Sequence, residues 1–455
     1  MLKFRAFYRD LSAFLFVFFP LPSHLSPVMV VPELLSPAGS LAMMRRAFAF
    51  GADAVYAGQP RYSLRVRNNE FGDAARLGQA IDETHAAGKA FYLVSNAVPH
   101  NAKVRTYLAD MEDIVALSPD ALIMADPGLI DLVRERWPDM PIHLSVQANT
   151  VNFAAVRFWQ KLGLRRIILS RELSIPEIAE IRQRCPDVEL EVFIHGALCI
   201  AYSGRCLLSG YFNRRDANQG ACTNACRWNY TLNAAAEDAA GDVWLLEERE
   251  RPGEMMPIEE DEHGTYILNS KDLRAVEHVQ RLVEIGVDSL KIEGRTKSPY
   301  YAARTAQIYR RAIDDAVTGR PFDPRLLSAL ESLANRGYTD GFYRPRRNAD
   351  LADQARLQNY QRGSSESEHS RYVGDVLNWD ETRQLAEVDV KNHFAVGDRL
   401  ELIHPSGNIT LRLERMENAD GQAIPTAPGN GHRVWIPLPA PRPAPLAEAM
   451  LARFS

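Results

Sequence analysis

Cysteine is scarce in this chain: five residues in 455. Small secreted domains stapled by disulfides are far shorter and far richer in it, so that class is excluded. A net charge of −5 excludes attraction to nucleic acid as a property of the whole molecule, so any such site must be a local patch. The apolar run at residues 13–19 is too short to cross a bilayer, and no membrane association is expected. There is no H-E-x-x-H helix, no G-x-S-x-G elbow, no P-loop and no dinucleotide fingerprint, which removes the commonest hydrolase and nucleotide-binding signatures.

What cysteine there is lies together. Cys199, Cys206, Cys222 and Cys226 fall within 28 residues, spaced C-x6-C-x15-C-x3-C. Such clustering reads as metal ligation in a reducing compartment, and a cytoplasmic location is expected. Four thiolates can hold a cubane iron–sulfur cluster or a structural zinc. Zinc sites usually show two short knuckles, and only Cys222 with Cys226 fits that pattern. The spacing therefore favours iron–sulfur over zinc, without removing zinc. Cys185, at a helix end, reads as a bystander.

The rest of the chain suggests an α/β protein. Short apolar runs at 33–36, 54–57, 90–95, 121–125, 142–146, 166–170, 190–194 and 289–292 alternate with helix-length stretches, as buried parallel strands do. Eight strands in this order predict a (β/α)8 TIM-like barrel over 29–318, with an open doubly wound sheet as the alternative. A Cys-rich and β-like insertion, 196–270, precedes the last strand, and Asn269 or Ser270 is expected to cap a helix beginning near Lys271. A helical segment and polar linker fill 319–370. Alternating patterns from 371 to 455 predict a small antiparallel β-barrel domain. Residues 1–28 carry a basic start and the apolar run without a clear cleavage site; Met29 stands just before the first strand, and the reading is a non-native extension.

Polar residues after barrel strands point into the mouth. Here these are Gln59, Asn96, Asp126, Gln147, Asn149, Arg171, His195, Glu293 and Arg295. Guanidinium forks match carboxylates, so Arg171 and Arg295 suit a small carboxylate ligand; internal ion pairs are the plainer alternative. His195, four residues before Cys199, could support that cysteine from behind or simply be a satisfied core histidine. Around the cysteines, residues 155–230 hold 11 Lys/Arg against 7 Asp/Glu. Arg205, Arg214, Arg215 and Arg227 are interleaved there with Tyr202, Tyr211, Phe212 and Trp228, a mixture that suits phosphate contact and base stacking as well as it suits solvated charge.

Several stretches resemble the collagenase-like peptidase family. They are Glu33-Leu34-Leu35-Ser36-Pro37-Ala38-Gly39, Gly51-Ala52-Asp53-Ala54-Val55-Tyr56-Ala57-Gly58, Arg171-Glu172-Leu173-Ser174, His195-Gly196-Ala197-Leu198-Cys199, Ser203-Gly204-Arg205-Cys206 and Lys291-Ile292-Glu293-Gly294-Arg295. Within that family, Gln59 to Asn69 and Cys222-Thr223-Asn224-Ala225-Cys226-Arg227-Trp228 are similar to the tRNA-hydroxylating branch. The resemblance implies oxygen-independent conversion of a wobble uridine to 5-hydroxyuridine. It also implies a 4Fe-4S cluster on Cys199, Cys206, Cys222 and Cys226, and prephenate as co-substrate. The expected catalytic set is His195, Arg171, Glu293 and Arg295, and the expected partner is a tRNA anticodon loop. Lys391, Arg399 and Arg412 of the C-terminal domain are expected to help hold it. A peptidase would need an activated nucleophile or metal-bound water, and the His195–Cys199 pair uses a cluster cysteine. Hydroxylation of ubiquinone and a non-enzymatic tRNA-binding scaffold are the remaining readings.

Overall fold

The computed structural model of the chain describes residues 30–59, 61–64, 69–198, 230–234, 244–248, 255–258, 260–261, 264–265, 271–335, 337–344 and 370–454. The extension 1–28, all four clustered cysteines with their surrounding arginines and aromatics, and the linker at 345–369 lie outside these residues.

Eight strands form the barrel: β1 (Glu33–Pro37), β2 (Ala54–Gly58), β3 (Ala90–Ser95), β4 (Ala121–Met124), β5 (Ile142–Leu144), β6 (Arg166–Ile168), β7 (Glu189–Ala197) and β8 (Ser289–Ile292). Neighbours pair in parallel, and β8 pairs with both β1 and β7, so the sheet closes on itself. The helix following each strand is α1 (Leu41–Ala49), α2 (Ala74–Ala86), α3 (Tyr107–Ala116), α4 (Pro127–Arg136), α5 (Phe153–Lys161), α6 (Ile175–Arg184), α7 (Val279–Ile285) and α8 (Pro299–Val317). Local chemistry starts these helices where the strands end. Ser40, Asp73, Asp126, Asn152 and Ser298 each accept a hydrogen bond from the backbone N–H three residues on, and Ser174 with Glu177 forms a capping box.

One expectation fails. No helix begins near Lys271; Asp272–Arg274 is a strand, antiparallel to the end of β7 through Asp272–Ala197 and Arg274–His195. The helix α7 starts only at Val279, after a 3-10 turn. Leu273 is buried, and the extended segment pairs with the end of β7 instead of leaving that edge open. Within the insertion, Tyr230–Ala234, Trp244–Glu248 and Met255–Ile258 form a three-stranded antiparallel sheet.

The C-terminal domain has strands β9 (Ser370–Asp380), β10 (Leu385–Val390), β11 (Arg399–Ile403), β12 (Ile409–Arg412), β13 (Arg433–Ile436) and β14 (Met450–Phe454). They form one antiparallel sheet in the order β12-β11-β14-β9-β10-β13. The chain leaving β12 returns to β13 through a bridge between Glu417 and Trp435, which curls the sheet around its own apolar core. This domain is fixed to the barrel. Ile403, Met450 and Ala452 belong to the barrel's hydrophobic cluster, and Tyr372 stacks on Tyr300 of α8 at 4.8 Å. Arg304 of α8 grips both carboxylate oxygens of Glu401 at 3.1 and 2.9 Å, and Arg46 of α1 bonds Asp375 and the Glu448 carbonyl.

Candidate functional site at the mouth of the barrel

Strand alternation decides what lines the barrel. Odd-numbered residues of β8 face inward, which aligns Ser289 and Lys291, and Glu293 and Arg295 follow in the loop beyond. On β7 the same alternation lines up Glu189, Glu191 and Phe193. Low in the barrel these charges form a network. Arg166 reaches Glu33 at 2.6 Å, Glu189 at 2.8 Å and Glu191 at 3.4 Å. Tyr92 and Ser289 donate to Glu33, and Lys291 bonds Glu191 at 2.8 Å with both side chains buried. Burial pushes the Lys291 pKa down and the His143 pKa well down, so His143 stands neutral among these cations.

The mouth lies one layer higher. Arg171 approaches Glu293 at 4.0 Å and donates to the carbonyl of Ala197 at 3.0 Å. Tyr56 donates to the Ile292 carbonyl at 2.9 Å and to Glu293 Oε2 at 3.1 Å. Arg295 donates to Ser63 Oγ at 2.7 Å. Two glycines permit this closeness. A Cβ on Gly58 would sit 2.9 Å from the Arg295 guanidinium and 2.7 Å from Ser63 Oγ. Gly196, at φ +104°, would place one 2.3 Å from the Glu293 carbonyl oxygen.

Three of the four expected catalytic residues, Arg171, Glu293 and Arg295, are thus brought together around Tyr56. His195 is placed differently. It is 1% exposed, its Nδ1 lies 3.2 Å from the Tyr309 hydroxyl, and the rings of Tyr301, Tyr309 and Tyr338 surround it at 5.5–5.8 Å. Burial, with Lys297 and Arg274 adding to it, lowers its pKa to about 3, so it is a neutral imidazole in a tyrosine cage. Other strand-end residues hold loops. Gln59 accepts the backbone N–H groups of Arg61 and Tyr62, Asn96 bonds Ser145, Asp126 caps α4, and Asn149 bonds the Gln147 carbonyl from a left-handed turn.

Pattern reading missed Tyr56, Phe193, Ser63 and Lys291. Lys291 left a signal: a charge inside an otherwise apolar strand, in phase with Glu293 and Arg295. Tyr56 and Phe193 left none, because an aromatic residue in a strand is ordinary core material. Of the C-terminal cations expected to face RNA, Lys391 pairs with Asp389 at 2.7 Å, while Arg399 lies on the Phe454 ring and Arg412 bonds the Gly397 carbonyl.

The clustered cysteines lie outside the described residues, but their point of departure does not. The chain leaves β7 at Ala197, whose carbonyl is held by Arg171, and Cys199 follows two residues later. Two histidine and cysteine contacts outside the mouth resemble peptidase machinery only superficially. His404 Nδ1 meets Ser406 Oγ at 2.7 Å, but that contact closes a turn, and His404 Nε2 faces the Pro445 carbonyl rather than a carboxylate. Cys185 is buried, with its thiol on the Phe153 carbonyl. Glu277, His278 and Asp340 cluster at metal-ligand spacing, yet Arg344 pairs with both carboxylates and accounts for the group. No helix among the described residues is long and apolar enough to cross a membrane.

A closed (β/α)8 barrel with an arginine–glutamate mouth, a cysteine segment leaving from β7 and a fixed antiparallel C-terminal domain defines the class, and the chain belongs to peptidase family U32. The family model matches residues 39–353, and the model of its C-terminal domain matches residues 368–453. Among individual proteins, it is 58% identical to the tRNA hydroxylation protein P of Escherichia coli (strain K12), over 90% of this chain and 94% of that one. The protein of the same name from Haemophilus influenzae is 54% identical, over 90% and 93%. The 23S rRNA 5-hydroxycytidine C2501 synthase of Escherichia coli (strain K12) is 28% identical, over 89% of this chain and 56% of that one.

Proposed function

We propose that the chain hydroxylates tRNA, converting a wobble uridine to 5-hydroxyuridine without molecular oxygen. The observation that carries this reading is the 58% identity across 94% of a protein named for tRNA hydroxylation. The similarity to an rRNA 5-hydroxycytidine synthase adds a second RNA pyrimidine substrate within the same fold family.

In this reading Arg171 and Arg295 take the carboxylate of a small co-substrate, prephenate, and Glu293 is held in place by Tyr56. Cys199, Cys206, Cys222 and Cys226 would hold a 4Fe-4S cluster, in the segment that follows Ala197 in the chain. Four thiolate donors match the ligand number of such a cluster, which supplies one-electron chemistry when bound. A barrel mouth can enclose one flipped base from an anticodon loop, whose extrusion costs only a few kcal/mol. His195, neutral and caged, supports the end of β7 and is not placed to move protons at the mouth. The peptidase function in the family's name has no counterpart among the described residues, which hold no Ser–His–carboxylate or Cys–His arrangement.

The test is nucleoside mass spectrometry of tRNA from a strain lacking the gene. Loss of 5-hydroxyuridine and its derivatives, restored by the intact gene, supports the proposal. An unchanged nucleoside profile rejects it. Protein purified without oxygen should be brown and carry iron and sulfide. Alanine at any of the four clustered cysteines should abolish the colour, while Cys185→Ala should leave it.

A further inference from the structure

The mouth contains a second layer of design beneath its arginines. Phe193 lies against the Arg171 guanidinium, whose carbon is 3.8 Å from the ring centroid. Tyr56 lies against Arg295 at 5.7 Å. Both rings also face the Lys291 ammonium, at 4.3 Å for Tyr56 and 5.5 Å for Phe193. Each ring therefore carries two cations, one arginine from the mouth and one lysine from the layer below. We propose that Tyr56 and Phe193 are positioning residues, whose ring faces hold Arg171 and Arg295 as a preset clamp for a small carboxylate. The inference rests on the carboxylate co-substrate of the proposed function and adds the groups that make its site.

Three observations support it. The first is charge. Leaving aside the solvent-exposed Arg165, the buried contacting set holds four cations, Arg166, Arg171, Lys291 and Arg295, and four carboxylates, Glu33, Glu189, Glu191 and Glu293. The mouth layer of that set holds two guanidiniums, Arg171 and Arg295, and one carboxylate, Glu293, and a carboxylate ligand would match the second guanidinium. The second is an unmet donor. Arg171 Nε is buried and has no hydrogen-bond partner among the described residues. That nitrogen belongs to the guanidinium that Phe193 supports. The third is rigidity. Tyr56 is only 2% exposed and its hydroxyl is engaged by Glu293 and the Ile292 carbonyl, so its ring cannot swing away from Arg295. A guanidinium stacked on a ring loses less freedom on binding than one in solvent, which is how preorganisation raises affinity.

The experiment measures prephenate binding to the full-length, anaerobically purified protein by calorimetry, together with KM for prephenate and for tRNA. Phe193→Leu and Tyr56→Leu keep apolar volume but delete the ring faces. Each should weaken prephenate binding about tenfold and raise its KM, beyond what the lowered melting temperature of a buried aromatic-to-leucine change accounts for at the assay temperature, with KM for tRNA nearly unchanged. Tyr56→Phe keeps the face but releases the hydroxyl from Glu293 and the Ile292 carbonyl, and should weaken binding clearly less than Tyr56→Leu does. The proposal is overturned if the leucine variants bind prephenate as wild type does. It is also overturned if Tyr56→Phe loses as much as Tyr56→Leu, or if weakening only follows a fall in melting temperature. Wild-type protein that binds no prephenate, in a strain whose tRNA hydroxylation depends on the gene, overturns the clamp and leaves the proposed activity standing. Ring-dependent prephenate binding without gene-dependent hydroxylation does the reverse.

Discussion

The two domains solve the same packing problem with opposite materials. The C-terminal sheet encloses Val373, Val376, Val388, Val390, Phe394, Leu400 and Leu402, an apolar core. The barrel encloses Glu33, Arg166, Glu191 and Lys291 among its aromatics and aliphatics, and closes them with ion pairs. Barrel interiors are usually filled by branched aliphatic side chains, so the ionic filling requires a reason. Buried ion pairs are poor stabilisers, because desolvation offsets their attraction. The barrel tolerates this cost where its charges extend upward into Arg171, Glu293 and Arg295. The C-terminal domain has no such site in its core and needs none of the charge.

The comparison can be broken by charge. Glu191→Gln strips Lys291 of its carboxylate partner in a fully buried site, and should lower unfolding free energy by about 3–5 kcal/mol in a denaturant titration. Removing both members, as Glu191→Leu with Lys291→Met, should return stability to within about 1 kcal/mol of wild type. A double variant as unstable as the single would show that the pair is packing rather than charge.

Apolar deletion gives the matching experiment in the other domain. Leu402 is fully buried on β11, and Leu402→Ala should cost about 3 kcal/mol through lost burial and the cavity left behind. A loss below about 1 kcal/mol would mean that the sheet repacks freely.

A third prediction concerns pH. The His195 pKa is lowered to about 3 in the folded chain, below the ordinary histidine value. Below pH of about 6.5 the unfolded chain takes up a proton there that the folded chain refuses, so stability falls as pH drops from about 6.5 toward 3. Replacing His195 with Gln should flatten that part of the curve by about 1 kcal/mol per pH unit, read from urea midpoints at pH 6.5 and 5. An equal slope in both proteins would place the sensitivity elsewhere. The smallest effect belongs to the exposed pair Arg184–Glu180 on α6, at 2.8 Å, where Arg184→Ala should cost no more than about 0.5 kcal/mol.

Much of the architecture was legible in sequence. Strand positions followed from short apolar runs, because such patterning acts over a few residues, while the caps Ser40, Asp73, Asn152 and Ser298 were read only in the structure. The error at Lys271 has the same origin: a polar residue before a charged segment is a local helix signal, and the pairing with β7 that overrides it is not local. The mouth was half legible. Arg171, Glu293 and Arg295 were found because charges after strands are conspicuous, whereas His195, chosen by the same rule, is turned into the tyrosine cage.

What the sequence determined by itself is the order of strands and helices, the clustering of the cysteines and the charge phase of β8. These are properties of neighbours along the chain. Only the tertiary structure decided that Tyr56, Phe193 and Lys291, from three different strands, share one contact set. It also decided that Glu191 neutralises Lys291, and that the C-terminal domain is bolted to α8 through Arg304 and Glu401. Closing a barrel juxtaposes residues more than a hundred positions apart, and no periodicity in the chain records which inward-facing side chains will meet across its interior.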